Sequence, residues 1–97
     1  MSFQTEQMLR AARNNDLNTV LTAIRHGADP YAKDEHGNTI AMWFAYNDNA
    51  TAAATLVREY PALLAMANHY GKSPQDLFEV HQNQPALTIL DHLRQVA

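Results

Sequence analysis

Cysteine is absent from this 97-residue sequence, which excludes disulfides and thiolate chemistry and agrees with a reducing compartment. No apolar run approaches the ~18 positions that a membrane helix needs. The opening Met1-Ser2-Phe3-Gln4-Thr5-Glu6 has no basic stretch followed by an apolar one, so no secretory signal is expected. Seven basic residues against ten acidic ones leave a net charge of −3, which argues against a broad phosphate-binding surface. The expected setting is the cytoplasm, with neither a membrane nor a nucleic acid as partner.

Catalytic signatures are missing as well. There is no glycine-rich phosphate loop, no Gly-x-Ser-x-Gly elbow and no nucleophile beside a histidine. The histidines, His26, His36, His69, His81 and His92, never stand three or four positions apart, and no cysteine completes a zinc set. Asp29, Asp34, Glu35 and Asp48 fall in turns, where aspartate commonly bonds its own backbone. Neither a catalytic residue nor a metal or cofactor is expected.

What is present is helical periodicity broken at regular intervals. Phe3, Met8, Leu9, Ala11 and Ala12 make a first helical stripe, and Asn14-Asn15-Asp16 interrupts it. Leu17, Val20, Leu21 and Ile24 continue at helical spacing to Gly27. A turn-rich segment runs to Gly37, and Thr39 caps the next helix, which reaches Tyr46. Asn47-Asp48-Asn49 is the second break, followed by a helix from Ala50 to Tyr60. Pro61 ends that helix, and Leu63, Leu64 and Met66 are expected to tuck beneath it. The turn signals return at Asn68-His69-Tyr70-Gly71-Lys72, and Ser73-Pro74 with Asp76 opens another helix in capping-box spacing. After a polar break at His81 to Gln84, Pro85 is expected to open a last helix with Leu87, Ile89, Leu90 and Leu93 on one face. The hydrophobic fraction of 46%, rich in alanine, suits closely packed helices.

These residues resemble an ankyrin repeat protein over nearly the whole chain. The family repeats about every 33 residues as a turn and two antiparallel helices, with a Thr-Pro-Leu-His-x-Ala signature. Gly37, Thr39 and Ala45 match one copy, and Gly71, Ser73 and Pro74 match another. His26-Gly27-Ala28-Asp29-Pro30 is similar to the segment closing the family's second helix, and Ala11-Ala12-Arg13-Asn14-Asn15-Asp16-Leu17 to its first-repeat pattern. Ile40 replaces the signature proline, and Met42 and Asp76 replace its histidine, so the histidine hydrogen bonds are expected to be lost. The resemblance implies an all-α, short ankyrin-type solenoid of helix-turn-helix repeats with finger-like turns. It forms a single domain, 1–97, with units at about 2–33, 34–67 and 68–97.

The resemblance also implies a non-enzymatic protein-protein interaction module, a small inhibitor or adaptor that binds a partner protein as a monomer or weak homo-oligomer. Its finger tips and first helices would form the binding face. By position that face holds Arg13 and Asn14 from the first unit. The second unit adds Tyr31, Lys33, Glu35, His36, Asn38, Tyr46 and Asn47, and the third adds His69, Tyr70, Lys72 and His81. Tyrosine suits such a face because it buries a large area while keeping a hydrogen-bonding tip. Trp43, between Met42 and Phe44, reads as core, with a groove-facing anchor as the alternative. Two other functions remain open from sequence: a self-associating structural module using Leu63, Leu64 and Met66, and a small-ligand-sensing domain.

Overall fold

Short polar side chains start the helices. Ser2, Asp16, Thr39 and Asn49 accept from backbone N–H groups three residues ahead at 3.1, 3.1, 3.4 and 3.1 Å, satisfying amides that a helix leaves without partners. The computed structural model describes residues 2–80 and 83–96. Within them lie α1 (Phe3–Arg13), α2 (Leu17–Arg25), α3 (Ile40–Tyr46), α4 (Ala50–Glu59), α5 (Pro74–Val80) and α6 (Gln84–Val96). A 3-10 helix covers Pro61–Ala65. No strand occurs among the described residues, so the protein is all-α. No helix among them is long and apolar enough to cross a membrane.

The helix-to-helix breaks repeat in geometry as well as in sequence. Asn15 (φ 62°) and Asp48 (φ 56°) both take the left-handed conformation, which short polar side chains tolerate better than others. The following N–H then reaches back to the helix just ended: Asp16 to the Ala11 carbonyl at 2.9 Å and Asn49 to that of Phe44 at 2.8 Å. Asn83 does the same to Phe78 at 3.1 Å. Asp16 is the N-cap of α2, and Asn15 supplies the turn before it.

These turns fold α1 on α2, α3 on α4 and α5 on α6. The first helices then pack side by side, α3 lying between α1 and α5. That central place explains why Ile40, Ala41, Met42, Phe44 and Ala45 are all buried. Ala12, Ala41, Ala45 and Ala53, each fully covered, keep the helix axes close while Met8, Phe44, Leu56 and Phe78 fill the space between. Leu63 in the 3-10 helix is fully buried, whereas Leu64 and Met66 pack against the core only in part. Leu63 is therefore no candidate for self-association. Phe3, placed by periodicity on the apolar stripe, is instead 72% exposed at the end of α1. The last helix begins at Gln84, one residue ahead of Pro85.

Where the signature histidine's hydrogen bonds are expected to be lost, at Met42 and Asp76, other acceptors stand in, and the Ser73–Asp76 capping pair forms as its spacing implies. The Met42 thioether accepts from the Thr39 N–H at 3.4 Å, closing a capping box with sulfur. Asp76 accepts from both the N–H and the hydroxyl of Ser73 at 2.9 and 3.1 Å. The Ser73 backbone N–H holds the Asp76 carboxyl below its ordinary value, despite partial burial. Asp16 is lowered too, chiefly by the Thr19 hydroxyl and then by its backbone N–H.

A folded-state value below the unfolded one means that protonation favours the unfolded chain. The two caps therefore stabilise the fold above about pH 4, the unfolded aspartate range, and their contribution fades as pH falls through the lower folded values. Asp16→Asn/Asp76→Asn can still cap but cannot titrate there. Urea titrations at pH 6 and at about pH 3 are expected to show a smaller acid loss for this variant than for the wild type.

Candidate functional site

Two stacked turns and the helices behind them build one face. In the first turn, Asp34 Oδ1 accepts from the N–H groups of His36 and Asn38 at 2.9 and 3.0 Å. The Asp34 N–H donates to the Asn38 carbonyl, and Gly37 (φ 80°) donates back to the Asp34 carbonyl. In the second turn Asn68 Oδ1 accepts from Tyr70 and Lys72 at 2.9 and 3.0 Å, with Gly71 (φ 75°) in the place of Gly37. The turns share one hydrogen-bond plan, and the His69 N–H joins them by donating to the His36 carbonyl at 3.0 Å.

Each turn is also tied to the helices behind it, by opposite chemistry. The free Asp34 oxygen, Oδ2, accepts from the indole Nε1–H of Trp43 at 2.9 Å, and Arg13 comes within 3.8 Å of it. Asn68 instead donates its amide to Asn38 Oδ1 at 2.9 Å and to the Tyr46 hydroxyl at 3.2 Å. An anion stands where every neighbour is a donor, and an amide where the neighbours can accept.

The tie brings aromatic and cationic groups into a row. The Arg13 guanidinium lies 4.9 Å above the Trp43 ring, a cation–π distance. Trp43 and Tyr46 follow at 5.2 Å between ring centroids. Asn47 braces the row by donating to the Arg13 carbonyl at 3.3 Å. At the turn tips, the rings of His36 and Tyr70 stack at 6.4 Å, and Tyr70 is 67% exposed. Glu35 lies 3.9 Å from His36. Between α1 and the first turn opens a groove of about 340 Å³, lined by Glu6, Leu9, Arg10, Arg13, Asp34 and Glu35.

The residues expected on this face are thus only partly gathered there. Arg13, Trp43, Tyr46 and Asn47 form the row, and Glu35, His36, His69 and Tyr70 form the tips. Asn38 is a correction: it is buried, its side chain spent on Asn68 and Tyr46, because it holds the two turns together from inside. Trp43 is neither wholly core nor free anchor; it is half-buried, with its edge on Asp34 and its face under Arg13. Tyr31 turns away to pack edge-on against Tyr60 at 5.9 Å. Lys33 donates to the Ala67 carbonyl at 2.9 Å, linking the approach to the first turn with that to the second. Asn14 is the exposed C-cap of α1, and Lys72 is exposed in the second turn. His81 lies outside the described residues.

Asp34 and Asn68 organise the face, yet in sequence Asp34 looks like any turn carboxylate and Asn68 like one turn signal among several. Their signal was their shared distance to Gly37 and Gly71, three residues on in each copy. Among the described residues no three histidine or carboxylate side chains converge as metal ligands. No protein-family model matches this chain, and no curated protein matches it in sequence.

Proposed function

We propose that this chain is a short ankyrin-type solenoid that binds another protein, without catalysis, through its turn tips and first helices. The observation that carries the reading is the continuity of the Arg13–Trp43–Tyr46 row with the His36–Tyr70 tips, through the Asp34 and Asn68 ties. Such a face offers aromatic area already held in place, which lowers the entropy lost on docking. The repeated caps, turns and left-handed breaks support the repeat reading. As a small cytoplasmic inhibitor or adaptor, the protein would act by occluding or bridging the partner it holds.

The test is affinity capture from the native host's lysate, comparing the wild type with His36→Ala/Tyr70→Ala. Both residues are exposed, so circular dichroism is expected to show the variant folded. A partner retained by the wild type and lost by the variant is the expected result. A partner retained equally by both would move the site off this face.

A further inference from the structure

We propose that the groove between α1 and the first turn receives a single carboxylate side chain of the partner protein, held by the guanidinium fork of Arg13 with Arg10 beside it. This rests on the protein-binding reading above and names the chemistry of the partner at that face.

Arg13 is positioned by an ion pair and a ring, and its side chain makes no hydrogen bond among the described residues. Trp43 supports its guanidinium from below at 4.9 Å, and Asp34 draws it in at 3.8 Å, beyond hydrogen-bond length. The Asp34 oxygens already accept from His36, Asn38 and Trp43, all at 3.0 Å or less. The Arg13 side chain stays 51% exposed, with its planar set of donors open to the groove. Arg10, three residues earlier on the same helix, lines the same groove and makes no ion pair among the described residues. Like charges at this spacing repel, and an incoming carboxylate relieves that repulsion. A guanidinium held over an indole is restrained before such a group arrives, and its fork can make two parallel bonds to it.

The other groove residues limit what enters. Leu9 supplies an apolar wall, while Glu6 and Glu35 line the same space. With Asp34 the lining holds three carboxylates against two guanidiniums, so a run of acidic residues is repelled and only a lone carboxylate that reaches the Arg13 fork itself is held. The net charge of −3 acts in the same direction, repelling polyanions at long range.

Trp43 is the only tryptophan in the chain and reports directly on Arg13. The probe is a capped alanine peptide with one central glutamate, titrated to millimolar concentration into the full chain, beside its glutamine and lysine counterparts. The glutamate peptide is expected to change Trp43 fluorescence saturably, with no matching response to the other two. Arg13→Lys keeps the charge but loses the fork, and is expected to weaken binding about tenfold. Arg10→Gln, at an exposed position whose side chain makes no hydrogen bond among the described residues, is expected to weaken it with an unchanged circular dichroism spectrum. Equal responses to all three peptides, no response to any, or indifference to both substitutions would overturn the proposal. A natural partner that crosslinks at Tyr70 but is unaffected by Arg13→Lys and Arg10→Gln would overturn the carboxylate assignment alone. No crosslinking at Tyr70 would count against the binding face itself.

Discussion

Asp34→Ala is expected to destabilise the protein by about 3–4 kcal/mol, as measured by urea unfolding with Trp43 fluorescence and circular dichroism as separate probes. One carboxylate, with only 7% of its side chain exposed, satisfies the N–H groups of His36 and Asn38 and the Trp43 indole. Truncation leaves all three donors short of an acceptor, those of Asn38 and Trp43 in part-buried places, and removes the charge that draws in Arg13. For a chain of 97 residues, total stability is of the order of 5–15 kcal/mol, so the loss is a large share. A loss below about 1 kcal/mol would mean that the turn does not depend on this side chain.

Isosteric exchange at the two ties sharpens the point. Asp34→Asn places an amide N–H among donors that cannot invert, since neither indole nor guanidinium can accept. Asn68→Asp meets partners that can: the Asn38 amide can turn over, and the Tyr46 hydroxyl can rotate to donate. Asp34→Asn is therefore expected to cost about 1–3 kcal/mol and Asn68→Asp less than about 1. Equal costs would contradict the donor and acceptor assignments.

Gly37→Ala is expected to cost about 3 kcal/mol or more, and Gly71→Ala only about 1–2. Both glycines have positive φ, 80° and 75°, where a side chain is strained. They differ in what a methyl group would meet. At Gly37 it would lie 2.6 Å from His69 Cδ2 and 2.9 Å from the His69 backbone nitrogen. The ring could swing aside, but the backbone nitrogen is fixed by its bond to the His36 carbonyl. At Gly71 nothing lies within 4 Å. The difference between the two thermal midpoints measures the close docking of one turn on the next; equal shifts would mean that the turns are not stacked as described.

That contrast marks the limit of what the sequence could reveal. The two glycines look alike in sequence, and their turn conformations follow from local chemistry that any reader of Gly, Asn and Asp can use. Helix positions were equally legible: breaks at Asn14-Asn15-Asp16 and Asn47-Asp48-Asn49 bound helices whose apolar faces recur at helical spacing. What lies between units is not local. Nothing near Asn38 in sequence says that Asn68, thirty residues on, takes its side-chain oxygen and draws it inside. Tyr31 sits among turn residues and yet packs on Tyr60 across the chain. Met42 and Asp76 depart from the repeat signature, yet a thioether and a carboxylate both accept at the helix start, which the signature alone does not foretell. The candidate face was thus half readable: its exposed tips by position, its organising ties only from three-dimensional contacts.

The central claim is that the tips and first helices meet a partner protein. Site-specific photocrosslinking in the native host's lysate tests it most directly, with the photoreactive group at position 70 in one sample and at position 51 in another. Thr51 is exposed on α4, outside both turns in the chain. A defined crosslinked species from position 70 and none from position 51 is the predicted result. Crosslinking from position 51 with none from position 70 would contradict the account and put the working surface on the second helices.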